Sequence, residues 1–232
     1  MLVLFILSQT QLQVTGSAGF RAVVPSEWSF YQEEQDRGVA DGPLWGFDGK
    51  VRSGQFGVAG SFLTASYGKV EIHDNETGDV REDTTGDISR HDFGAEIRFY
   101  PSDLYVGFLY SNHSEHYSYY VLIADLDVDY STNVFGLSVG YDPAPRHLSL
   151  SPYGYGSLAY ATGSRKTSWI TTESDDGNAA RFMGEAGLAY YYKPIYLSLG
   201  FMGQAFVASF GDDSTLSHSN LWGLFFGMGA YF

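Results

Sequence analysis

Apolar and polar residues alternate in short runs along most of this chain, and most cleanly at its end. Over Leu221-Trp-Gly-Leu-Phe-Phe-Gly-Met-Gly-Ala-Tyr-Phe232, every second position is apolar: Trp222, Leu224, Phe226, Met228, Ala230 and Phe232. The intervening set holds Gly223, Gly227 and Gly229 with Phe225 and Tyr231, so it is narrow rather than polar. A period of two marks a strand, because successive side chains leave a strand on opposite faces. An apolar stripe of this kind is costly in water and at ease against hydrocarbon.

The same rhythm predicts nine strands before the closing one. In the first, Gly16, Ala18, Phe20, Ala22, Val24, Ser26, Trp28 and Phe30 share a face, and Pro25, lacking an N–H, marks a rim, an edge or a bulge. Trp45, Phe47, Gly49 and Val51 alternate with Asp48, Lys50 and Arg52 in the second, and Ser53-Gly54 turns the chain into Phe56, Val58, Gly60 and Phe62. The fourth sets Phe93, Ala95, Ile97 and Phe99 against Arg90, Asp92, Glu96 and Arg98. Residues 104–120 form a fifth that is aromatic on both faces, so its parity stays open. Strands carrying Phe135 to Tyr141, His147 to Ala161, Phe182 to Tyr192 and Ile195 to Ala205 follow.

The connections alternate long and short. The long ones cover 31–43, 72–87, a stretch with Asp125, Asp127 and Asp129, another with Glu173, Asp175 and Asp176, and 211–218. Short turns on one side and longer loops on the other, with an even strand number, predict an all-β fold: a closed antiparallel transmembrane β-barrel of ten strands over 16–232. Closure leaves no unpaired backbone edge in hydrocarbon. The alternative is eight strands beginning at Gln55, with the first 54 residues as leader and plug; the aromatic alternation around Phe20 and Phe47 weighs against it. Residues 1–15 read as a possible partial signal segment, apolar from Met1 to Leu7 but without a basic stretch before it.

The closing strand resembles that of bacterial outer-membrane β-barrels in its alternation, its terminal Phe and its upstream Trp. The resemblance implies a place in the Gram-negative outer membrane, among its lipid and lipopolysaccharide. It also implies that the barrel assembly machinery reads Phe232, Ala230, Met228 and Trp222 as an assembly signal.

Composition narrows the picture. Aromatic residues make up 17% of the chain, which a barrel wall absorbs and a small soluble core does not. No apolar run approaches the length of a membrane-crossing helix. The absence of cysteine excludes disulfides and thiolate zinc sites. The net charge of −14 argues against nucleic acid as a partner. The acids concentrate in the long connections, which suits either divalent cations shared with lipopolysaccharide phosphates or plain solvation.

If the apolar positions face lipid, the opposite set lines the lumen: Arg21, Asp48, Lys50, Arg52, Arg90, Asp92, Glu96, Arg98 and Glu185. Near balance of sign predicts mutual pairing, with the charges of residues 90–98 meeting Asp48, Lys50, Arg52 or Glu185 across a narrow interior. A selectivity constriction is the alternative. His116-Tyr-Ser118 and Ser217-His218-Ser219 resemble outer-membrane lipid A deacylases in the nearness of His and Ser. Asp212, Asp213 and His218 resemble the omptin proteases, ten-stranded barrels with Asp and His at the outer rim. The first likeness lacks an identifiable orienting acid, and the second lacks a matching second acidic pair and the greater length of the omptins. Asp125-Leu-Asp-Val-Asp129 departs from a calcium loop at Tyr130. The expectation is a monomeric, non-enzymatic envelope protein without catalytic residues, cofactor or metal site. A narrow solute channel and an outer-rim enzyme are the alternatives.

Overall fold

The computed structural model describes residues 14–33, 36–40, 42–74, 77–121, 124–210 and 216–232. Most of the expected leader, residues 1–13, lies outside them. The described residues form β1 (Val14–Glu33), β2 (Asp36–Ala40), β3 (Leu44–Ser53), β4 (Phe56–Asp74), β5 (Val80–Phe99), β6 (Leu104–Val121), β7 (Ala124–Tyr141), β8 (Ser149–Ser168), β9 (Thr172–Tyr192), β10 (Ile195–Phe210) and β11 (Leu216–Tyr231). All pairings are antiparallel. The sheet closes where β1 meets β11, from Ser17 opposite Tyr231 to Phe30 opposite Ser219.

These eleven segments fill ten positions in the wall. Both β2 and β3 lie between β1 and β4, one at each end, so they are a single wall strand interrupted around Gly42-Pro43. Proline cannot donate to the ladder there. The eight-strand alternative fails, because β1 and β3 are wall.

Outward-facing apolar side chains form a belt. Phe47, Phe93, Ile97, Leu137, Leu197, Phe226 and Met228 are all exposed, Ile97 to 64%. A continuous apolar surface of this extent on a folded chain is one that hydrocarbon covers. Beyond Phe93, Tyr110, Phe135 and Tyr160 the outward positions turn polar, through His91, Asn112, Asn133 and Thr162.

The strands run well past the belt. A tilted strand crosses hydrocarbon in about 9–11 residues, yet β9 has 21. Much of what the sequence presents as long loops is therefore paired strand. Residues 36–40, 72–74 and 80–87, the Asp127 to Asp129 stretch and 172–176 all lie in hairpins. The hairpin ladder satisfies the backbone whatever the side chains are. In water both faces can be polar, so the strand persists after its alternation has faded.

β1 departs from its own rhythm. Its register against β11 shifts between Pro25 and Glu27, a bulge at the donor-less residue. One extra residue flips the parity, so Val24 points out while Trp28, expected on the same face, is wholly buried. β6 settles on Leu104, Val106 and Phe108 outside, with Tyr105, Leu109, Ser111, His113, Glu115 and Tyr117 inside. At the end bearing the short turns, Gly54 takes φ 59°, a left-handed conformation that glycine adopts without strain.

The candidate site in the lumen

The interior has three levels. Farthest from the short turns is an apolar plug of Trp28, Leu44, Ile72, Ile88, Tyr117 and Leu221. Near the turns, Tyr191, Tyr196 and Tyr231 pack together beside Tyr153. Between them a charged layer surrounds a cavity of about 190 Å³.

The charged layer is built mostly of closed pairs. Arg21 of β1 donates from Nη2 to Glu185 Oε2 of β9 at 2.6 Å and stacks 4.2 Å above the Phe225 ring. That ring lies where wall side chains would otherwise stand: a Cβ on Gly200 would be 2.6 Å from it. Arg98 donates from Nε and Nη2 to one oxygen of Glu96, at 2.9 and 2.6 Å, and from Nη1 to Asp142 at 3.3 Å. Lys50 pairs with the other oxygen of Asp142, while Tyr100 donates to the oxygen that Arg98 reaches. Ser138 donates to Glu96, whose carboxylate lies against the bare backbone of Gly107.

A second network sits just under the plug. Arg90 donates to Asp92 at 2.7 Å and to Glu115 at 3.3 Å. His113 Nδ1 lies 2.5 Å from Asp92, Ser219 donates to Glu115, and the Arg90 guanidinium stands 5.8 Å from the Trp28 ring.

The expected pattern of cross-lumen partners is corrected in part. Arg90 and Arg98 each turn along their own strand to the carboxylate two residues away, about 7 Å along the same face, and reach Glu115 and Asp142 rather than Asp48, Lys50, Arg52 or Glu185. Arg52 stands at the turn end, donating to the carbonyls of Gly54 and Ser102 and lying 3.6 Å from Asp103. Arg21 and Glu185 do meet across the lumen. Asp48 lines the cavity.

Four interior residues were not found by sequence reasoning. Glu115 and His113 belong to β6, whose parity was open. Asp142 sits in a Pro-rich stretch that reads as a turn, and Arg181 at the edge of an apparent loop. The signal that finds the first two is Leu104, Val106 and Phe108, which put odd positions inside.

His116 Nδ1 is 2.7 Å from Asp129, and both side chains are exposed on the extension. Asp212 and Asp213, and the side chains of Ser217 and His218, lie outside the described residues; Ser219 faces the lumen. Among the described residues no cluster of three or more potential ligands could hold a metal ion.

No protein-family model and no curated protein matches the sequence. Among solved structures, the outer membrane protease OmpT from Escherichia coli is similar at a TM-score of 0.56 and 10% identity, over 94% of this chain and 96% of that one. The translocator domain of autotransporter NalP from Neisseria meningitidis gives 0.47 at 12% identity, over 96% and 90%. Ail, the attachment invasion locus protein of Yersinia pestis, gives 0.39 at 14%, over 95% and 100%. These two superpose too loosely to add weight, and at such identities the likeness to OmpT concerns the fold alone. The chain is a closed, ten-position antiparallel β-barrel of the outer-membrane type.

Proposed function

We propose that this protein is a monomeric barrel of the Gram-negative outer membrane that does not conduct solutes, and that it serves as a non-enzymatic envelope protein presenting a paired β-extension at the cell surface. The observation that carries this reading is the apolar plug: Trp28, Leu44, Ile72, Ile88 and Leu221 are at most 1% exposed inside the barrel. A dry, close-packed cluster offers an ion no ligands to replace its water. The closed ion pairs beneath it support the same reading, as does the belt outside. Acids such as Glu71, Asp79, Asp129 and Asp176 stand on the extension, where divalent cations would link them to lipopolysaccharide phosphates. The closing strand, with Phe232, Ala230, Met228 and Trp222, is what the assembly machinery would engage.

Conductance across planar bilayers tests the proposal. The refolded protein should leave the baseline unchanged, and discrete conductance steps would overturn the sealed reading. Fractionation tests the location, which recovery of the protein in the soluble fraction would refute.

A further inference from the structure

The cavity below the plug is not chemically neutral, because its two unmatched charges stand on different walls. Arg181 of β9 is 6% exposed and makes no ion pair among the described residues; its Nη1 donates to Ser111 Oγ at 2.7 Å and its Nε has no partner. The charge of Asp92 reaches it, but Asp92 is itself held by Arg90 and His113. On the opposite side, Asp48 of β3 makes no ion pair among the described residues either. The three cations whose charge reaches it are all engaged, Arg21 with Glu185, Lys50 with Asp142, and Arg98 with Glu96 and Asp142.

Further donors are left over around Arg181. Gln204 Nε2 and Ser157 Oγ are buried without partners. Both stand opposite Met183 in the ladders, so they share a row of the wall one step from Arg181. Buried donors without acceptors are costly, and a ligand or ordered water that satisfies them recovers that cost.

The floor between the two charges is bare. Asp48, Ser61, Gly94 and Ser111 are successive partners across β3, β4, β5 and β6. Three inter-strand steps place Asp48 and the Ser111 that holds Arg181 about 14 Å apart along the wall, and less across the curved lumen. Ser61 and Gly94 leave that span open. The cavity is stopped by the plug above and extends down to Tyr191 and Tyr196, toward the short-turn end.

We infer that this cavity is a blind pocket for a small zwitterion, its carboxylate held by Arg181 with Gln204 and Ser157 and its ammonium by Asp48. The spacing suits charges several bonds apart, as in an ω-amino acid, better than glycine. A single anion would leave Asp48 unmatched, and a single cation would leave Arg181.

The test uses the refolded full chain in detergent micelles, with folding verified by circular dichroism and heat-modifiable gel mobility. Thermal unfolding is followed during titration with γ-aminobutyrate, ε-aminocaproate, acetate and propylammonium. Either amino acid should stabilise the barrel saturably, since a ligand of the folded state raises its unfolding temperature. Asp48→Asn and Arg181→Gln should each weaken that binding at least about tenfold, and acetate should bind weakly and ignore Asp48→Asn. Should Arg181→Gln fail to fold, Arg181→Lys, which keeps the charge but loses the fork, provides the comparison. Three outcomes overturn the proposal: no saturable shift with either amino acid on a folded barrel, equal stabilisation of wild type and Asp48→Asn, or acetate binding as tightly as γ-aminobutyrate.

Discussion

Trp28 lies 5.8 Å from the guanidinium of Arg90, inside the barrel, although its place in the rhythm of β1 assigns it to the outer face. The contact exists because the bulge at Pro25–Glu27 inserts one residue into the ladder. A single unpaired residue thus turns an expected lipid-facing Trp into the largest piece of the plug.

Trp28→Ala should therefore open the lumen as well as weaken it. Loss of a buried Trp of this size costs about 3–5 kcal/mol when the site does not collapse. Denaturant unfolding in micelles should show that loss, and planar-bilayer recordings should show conductance absent from wild type. A stable, silent variant would mean that the other plug residues suffice.

Glu96→Ala leaves Arg98 with Asp142 alone and frees Ser138. Removing one partner of a buried pair costs about 3–5 kcal/mol, whereas an exposed acid such as Glu173 contributes little. Equilibrium unfolding of Glu96→Ala and Glu173→Ala side by side should show a clear difference between them. Equal stability would argue that water fills the lumen well enough to screen the pairs.

Gly200→Val tests the space beneath the Phe225 ring. The added side chain begins hard against the Ala186 carbonyl oxygen and 2.6 Å from the ring, so the wall must shift there and the ring must leave its stack with Arg21 unless that shift makes room for it. Overpacking of this kind costs about 1–3 kcal/mol, and near-ultraviolet circular dichroism should report the displaced aromatic. An unchanged spectrum would show that the wall yields instead.

Deleting Phe232 should lower the amount of protein reaching the outer membrane far more than it lowers the stability of the refolded barrel. In the structure Phe232 exchanges two backbone hydrogen bonds with Gly16, both at 3.0 Å, a small part of a long seam. Normal membrane levels of the truncated chain would count against the assembly role.

The sequence is most readable where one face of a strand meets hydrocarbon. In β3 and β5 the outer set is apolar and the inner set largely polar, and in β11 an unbroken apolar outer set faces an inner set thinned by Gly223, Gly227 and Gly229, so parity and face follow from the residues alone. Legibility fails where that contrast is missing. β6 is aromatic on both sides because its inner tyrosines fill the lumen. The hairpin extensions are polar outside and partly apolar inside, through Ile72, Ile88 and Val128, which is why they read as loops and why the plug was not foreseen. Trp28 was misplaced for a different reason: Pro25 signals a bulge without saying that the parity changes after it. Asp142 was hidden by a turn-like neighbourhood, although it joins Lys50, Arg98 and Tyr100.

The seam between β1 and β11 also bears on time. Ser17 finds its partner at Tyr231, nearly the whole chain away, so no intermediate lacking β11 can be sealed. Until that strand exists, the belt faces water and two strand edges stand open, the condition under which chains pair with one another instead of with themselves. Non-local closure is also the slowest kind, since its entropy is lost before its contacts form. Such a chain cannot complete its fold piecemeal as it is made; until its last strand is in place it has to be kept apart from its copies.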